Sequence, residues 1–179
     1  MTNQNQVTII GCGLMGPGIA TSAALAGHPT VLQARSAERI SQGMDAAHRN
    51  LAELQNGGLI DPQQVETASG LLRGELDLET ALNESFLVIE AINENLAAKQ
   101  ALFAQLDRLT ADDVILTSNT SGLRITDIAN QVRRPERAAT THFWFPGHLV
   151  PLVEIVMSEH TSPKIAESLR ALLLGWGKA

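Results

Sequence analysis

Three groups of residues in this 179-residue chain have the types and spacing to do chemistry. His142 is followed by Glu154. On adjacent strands, such a pair makes an oriented base: the imidazole takes a proton from a hydroxyl, and the carboxylate fixes its tautomer and stabilises the imidazolium. Read alone, a histidine in Thr141-His142-Phe143-Trp144-Phe145-Pro146 is more often a satisfied structural residue, so the assignment leans on its surroundings. His148 is a weaker candidate to line the same place. His28 and His160 at turns, and His48 on a polar helix face, read as surface.

The second group, Gly11-Cys12-Gly13-Leu14-Met15-Gly16, spells G-x-G-x-x-G between a short apolar run and a helical pattern. That context turns a weak motif into a dinucleotide-binding turn. Gly11 permits the bend, Gly13 lets backbone approach a diphosphate, and Gly16 lets helix and strand pack closely. Leu14 and Met15 complete the loop, and the helix start offers free N–H groups and partial positive charge to phosphates. Cys12 reads as a packing residue. The third group, Ser118-Asn119-Thr120-Ser121-Gly122, directly follows an apolar run, where hydroxyls and amides meet a nicotinamide or substrate oxygen. It is also a good helix-capping turn.

One expected residue is missing. A carboxylate ending the second strand, about 20 residues past the turn, reads the ribose hydroxyls of NAD. Here that position is Ala34, followed by Arg35 and Ser36. Removing the acid removes a ribose partner and a phosphate repeller, and an Arg with a hydroxyl suits a 2′-phosphate. The expected cofactor is therefore NAD(P), with NADP slightly favoured.

These residues need a frame, and the chain alternates apolar runs with amphipathic segments, the pattern of an α/β fold. Strands are expected at 7–10, 30–34, 71–72, 86–92, 114–118, 138–143 and 152–157. Helices are expected out of the Gly11–Gly18 turn through Ala26, from 37 to 54 or 55 behind a Ser36 cap, from Pro62 behind an Asp61 cap, at 94–109, and from Ser162-Pro163 to about 174. The result is one Rossmann-type domain over 1–179: a doubly wound, mostly parallel sheet with helices on both faces. Hydrophobic residues at 44% and charged ones at 18% suit a globular protein, and the 3% aromatic content leaves the core to Ala, Leu, Ile and Val. A net charge of −6 argues against nucleic acid or an anionic membrane as partner. No run approaches the roughly 18 apolar residues of a membrane span. A single cysteine and a polar start, residues 1–6, without a signal-peptide pattern lead us to expect a cytoplasmic location. No metal site is read in the chain.

Taken together, GCGLMG, VIEAINENLAAKQALFAQLD, SNTSGL and HFWFPGHLVPLVEIV resemble the L-3-hydroxyacyl-CoA dehydrogenase superfamily, N-terminal domain, over essentially the whole chain. The resemblance implies NAD-dependent oxidation of a 3-hydroxyl to a ketone, with His142 as base paired to Glu154. It implies that Ser121 touches substrate and cofactor and that Glu94 and Lys99 lie on the nicotinamide side. Asn119 is counted with the cofactor-binding residues. A helical C-terminal domain that dimerises, closes over the substrate and supplies an Asn is expected after residue 179. Three departures stand out: Ala34 for the family's Asp, Phe145 for its Asn, and no lysine between Ile40 and Ala98, where the only arginines are Arg49 and Arg73. With little there to neutralise CoA phosphates, a small polar 3-hydroxy acid, as in the gulonate and carnitine dehydrogenase branch, competes with an acyl-CoA. The alternative reading is a non-catalytic nucleotide-binding module, regulatory or structural, that lacks the second domain.

Overall fold

The apolar runs pair into a single seven-stranded sheet of order β3-β2-β1-β4-β5-β6-β7. The computed structural model describes residues 5–179, so most of the polar N-terminal stretch read above lies outside the described residues. In chain order the elements are β1 (Gln6–Ile10), α1 (Gly16–Leu25), β2 (Thr30–Gln33), α2 (Ala37–Asn56), α3 (Pro62–Leu71), β3 (Leu72–Glu75), α4 (Leu78–Leu82) and β4 (Ser85–Glu90). There follow α5 (Leu96–Leu109), β5 (Ile115–Ser118), α6 (Ile125–Ile128), β6 (Ala138–Phe143), β7 (Val153–Met157) and α7 (Pro163–Gly175). Strands β3 to β6 of this order run parallel, and β7 runs antiparallel to β6. The sheet is the doubly wound one expected, with its chain reversal between β1 and β4.

Both faces are covered. Val7, Ile9, Leu87 and Ile89 point to a core closed by Ile19 of α1, Leu51 of α2 and Leu169 of α7. Their strand neighbours Ile10 and Val88 point to the other, under Phe103 of α5 and Ile128 of α6. That two-sided burial is why the strands read as continuous apolar runs. Ser36 caps α2 by accepting from Arg39 N, and Asp61 and Gln64 form a reciprocal capping box on α3, as the sequence suggests.

The differences are local. β3 occupies Leu72–Glu75, three residues past its expected end, because pairing with β2 fixes it. β4 stops at Glu90, and α5 starts at Leu96, where the Asn95 side chain accepts from Ala98 N. The one-turn helices α4 and α6 are too short for any periodicity to announce.

At the far end of the sheet, Asp107 accepts from Arg133 Nε at 2.9 Å and from Arg137 at 2.9 Å. Arg137 is buried and also donates to Thr110 and to the carbonyls of Ala111 and Val114, tying α5 to β5 and β6. Burial raises the Asp107 pKa, but the hydrogen bonds from the two arginines outweigh it and hold the carboxyl below its ordinary range.

Two tests follow. A Cβ at position 16 would stand 1.9 Å from the Gly11 carbonyl oxygen, which is fixed backbone. Gly16→Ala should cost about 1–3 kcal/mol, visible as a drop of several degrees in Tm, and should weaken nucleotide binding measured by titration. Asp107 has a lower pKa folded than unfolded, so its stabilisation is complete above about pH 4 and is lost as pH falls through the depressed value. Asp107→Asn should lower Tm at neutral pH by the equivalent of about 1–3 kcal/mol, Arg133 being solvent-screened, and flatten the acid limb of a Tm-against-pH series.

Candidate active site

In a parallel sheet the loops leaving the carboxyl ends of the strands share one edge, where ligands bind. Here each loop is tied to its neighbour strand. Gly11 N donates to Gln33 O at 2.9 Å, Ala91 N to Ile10 O at 2.8 Å, and Asn119 N to Glu90 O at 2.7 Å. The glycine turn, Glu94, the Ser118–Gly122 segment and His142 are thereby gathered on a single edge.

The turn has the form a diphosphate needs. Gly11 has φ +117°, and a Cβ there would meet the Ala91 carbonyl oxygen at 2.5 Å. Gly13 is exposed with open space where a Cβ would stand, and Leu14 beside it is exposed. Met15 precedes α1, no side chain caps that helix start, and its first turn carries no acidic residue. Free N–H groups and an uncompensated helix dipole therefore face this edge, so the residues present fit a dinucleotide diphosphate. Cys12 packs against Gly43, and burial pushes its thiol up to about 11, which makes it a poor nucleophile.

His142 and Glu154 are register partners across the β6–β7 pair. The carboxylate Oε2 sits 2.7 Å from imidazole Nδ1, and Ser121 Oγ sits 3.1 Å from Nε2. Trp144 donates from its indole Nε1 to the same Glu154 oxygen at 3.3 Å, its ring tilted on the imidazole. The hydrogen bond from His142, helped by that from Trp144, holds Glu154 below the usual carboxylate range against a small opposing effect of burial. The carboxylate therefore stays ionised and keeps the Nδ1 proton in place, leaving Nε2 toward Ser121 and the cleft.

The Ser118–Gly122 segment is a turn held by its own hydroxyls. Ser118 and Thr120 hold the turn, Thr120 Oγ1 accepting from Leu123 N and Ser118 Oγ from Thr120 N. Asn119 Oδ1 accepts from Phe143 N at 2.8 Å, and Ser121 reaches His142. Glu94 is half-exposed on the edge and accepts from Thr120 Oγ1 and from Ser121 N and Gly122 N, both at 3.2 Å. Burial raises its pKa, but these bonds and Lys99 outweigh it and lower the net value. Lys99 lies beneath the edge rather than on it: its side chain is 1% exposed, with the ammonium 2.6 Å from Glu90 and 3.3 Å from Glu94.

Ala34 is buried at the end of β2, while Arg35 and Ser36 are exposed after it, Ser36 with its hydroxyl already on Arg39 N at 3.3 Å. Arg35 forms no ion pair among the described residues. Beside the glycine turn opens a cavity of about 420 Å³ lined by Leu14, Arg49, Asn50, Glu53, Phe145 and His148. His148 lies 3.4 Å from Glu53, and its Nδ1 is buried without a hydrogen-bond partner among the described residues. His28 is no bare surface residue, since it packs against Phe86 and Trp176 at the opposite end of the sheet.

Sequence reasoning passed over Glu90, Trp144 and Lys178. Glu90 left a signal, a carboxylate inside an otherwise apolar strand. Lys178 left none: its buried ammonium donates to the carbonyls of Gly147 and Val150, a contact that only the fold brings about.

Residues 6–179 match the family described as 3-hydroxyacyl-CoA dehydrogenase, NAD binding domain. The chain is similar to the 3-hydroxyadipyl-CoA dehydrogenase of Escherichia coli (strain K12), at 39% identity over 178 residues that cover 99% of this chain and 37% of that protein. It is similar to the mitochondrial hydroxyacyl-coenzyme A dehydrogenase of Sus scrofa, at 40% identity over 171 residues, 91% of this chain and 54% of that one. The crystal structure of 3-hydroxybutyryl-CoA dehydrogenase from Escherichia coli K12 superposes with a TM-score of 0.93 at 38% identity, over 97% of this chain and 37% of that one. The 3-hydroxyacyl-CoA dehydrogenase of Archaeoglobus fulgidus gives 0.76 at 32% identity, over 97% of this chain and 54% of that one. The chain thus spans roughly a third to a half of the length of these relatives. The family match over residues 6–179, with relatives and a solved structure alike across nearly the whole chain, places the chain in the 3-hydroxyacyl-CoA dehydrogenase family, in its NAD-binding domain.

Proposed function

We propose that this chain is the cofactor-binding, base-bearing part of an oxidoreductase that converts the 3-hydroxyl of a 3-hydroxyacyl-CoA, or of a small 3-hydroxy acid, to a ketone. The observation that carries the reading is the shared edge: His142 is held by Glu154 on one nitrogen and Ser121 on the other, on the same side of the sheet as the glycine turn. A bound nicotinamide supplies the hydride acceptor. His142 Nε2 takes the hydroxyl proton, and Glu154, kept ionised by the bonds it accepts, stabilises the imidazolium that forms. Ser121 Oγ orients the substrate oxygen beside Nε2. Gly11, Gly13, Leu14, Met15 and Gly16 hold the diphosphate, while Glu94, Asn119 and, through Glu94, Lys99 shape the nicotinamide end. A helical C-terminal domain completes the cleft and the homodimer, in a reducing, cytoplasmic setting.

Two finer points belong to the same reading. Ala34 with exposed Arg35 tips the cofactor balance slightly toward NADP, although NAD is the family's default. Arg49 is the one arginine or lysine on the cavity beside the turn among the described residues, which suits a small acid as well as it suits a CoA ester.

His142→Gln should cut kcat by about 10²–10⁴-fold while leaving nucleotide Kd within about twofold. Undiminished turnover in that variant would sink the base assignment. Ala34→Asp should shift the ratio of Kd for NADP to Kd for NAD by about tenfold toward NAD, corresponding to about 1.4 kcal/mol; a wild type that already prefers NAD strongly removes the role given to Arg35. A panel of 3-hydroxyacyl-CoA thioesters beside free 3-hydroxy acids, run with both cofactors on the full-length protein, separates the substrate classes. Nucleotide binding with no oxidation of any of them would leave the non-catalytic module.

A further inference from the structure

Beneath the edge lies a buried charge cluster whose deepest member, Glu90, has no part in the proposed reaction. Glu90 is fully buried at the end of β4. Its Oε1 accepts from Lys99 Nζ at 2.6 Å and from Ile92 N at 2.7 Å, and its Oε2 accepts from Ser118 Oγ at 2.6 Å. The Lys99 ammonium reaches Glu90, Glu94 and the Ile92 carbonyl, the last at 3.4 Å, so its three protons each have a partner.

Two routes run from Glu90 to the same short segment. One passes through Ser118 Oγ, which accepts from Thr120 N at 3.2 Å. The other passes through Lys99 to Glu94 Oε2, whose companion oxygen accepts from Thr120, Ser121 and Gly122. A half-exposed glutamate ordinarily wanders among rotamers, and holding it still costs side-chain entropy. Here the buried ammonium fixes one oxygen, so the other becomes a stationary acceptor for two backbone amides.

We infer that Glu90 and Lys99 are positioning residues: acting through Glu94 and Ser118, they immobilise residues 118–122 and so set Ser121 Oγ against the imidazole of His142. The inference rests on the proposed role of His142, but its test does not depend on turnover. An ion pair of this kind tolerates joint replacement far better than loss of one member, which would strand a buried charge. The variant to make is therefore the double one, Glu90→Gln with Lys99→Met.

Amide hydrogen exchange, read by NMR on the full chain, should speed up at least tenfold at Ser121 and Gly122 in the double variant. Exchange at Thr8 and Ile9 in the central strand should stay within twofold. With the full-length enzyme, kcat should fall at least tenfold. Unchanged exchange at Ser121 and Gly122, or acceleration shared equally by Thr8 and Ile9, overturns the inference. Should the double variant not fold, Glu94→Ala at the exposed end of the cluster serves instead. It must accelerate the same two amides tenfold, and unchanged protection there overturns the inference equally. If His142→Gln left turnover intact while the exchange result held, only the catalytic reading would fail.

Discussion

The nearest approach on which this architecture depends is between backbone atoms, where side chains have been left out. The Gly11 carbonyl oxygen occupies the place a Cβ of residue 16 would take, so α1 lies directly on the turn that feeds it. Two residues further along α1, Gly18 meets Gly147, whose amide nitrogen lies 3.2 Å from the position of a Cβ at 18. Gly147 belongs to the loop leaving β6, and Ser22 of α1 donates to its carbonyl at 3.1 Å. One helix therefore docks at its N-terminal end against the phosphate turn and, a turn later, against the segment that follows the histidine. Backbone contacts of this kind leave little room for relative movement, because packed interiors resist even small displacements.

Charge is distributed around that frame with opposite outcomes for acids and for the buried cation. Glu94 and Glu154 are both half-exposed and both held ionised, Glu94 by hydroxyl, backbone and ammonium donors, Glu154 by an imidazole and an indole. Lys178, in contrast, is buried against carbonyl oxygens and pairs with no carboxylate among the described residues, and burial pulls its pKa down. The carboxylates thus act as acceptors that orient neighbours, while Lys178 acts as a multi-donor clasp on the 147–150 loop. These roles follow from what surrounds each group rather than from its type.

How much of this was legible in the sequence depended on range. The glycine spacing, the strand-end histidine and the vacancy at Ala34 could be read because each is a local pattern with a fixed meaning at a strand end. The caps at Ser36 and Asp61 were legible for the same reason. The partners of Glu90 and Lys99 come from β4, α5 and the loop after β5, and nothing in any one segment announces that they meet. The indole nitrogen of Trp144 shares the Glu154 oxygen with the imidazole only because β7 turns back beside β6. Phe145 was legible as a departure, but its position on the cavity wall with Arg49 and His148 required α2 to be placed.

The antiparallel turn-back of β7 has a consequence for how such a protein diversifies. Opposed residues on hydrogen-bonded strands keep a separation dictated by the sheet itself, whatever the connection between them contains. The spacing of the imidazole and its carboxylate is therefore insulated from residues 145–148, which line the cavity. Mutation or insertion in that stretch can remodel what the cleft admits while the proton-handling pair stays where it was, so selectivity and basicity are free to evolve on separate residues.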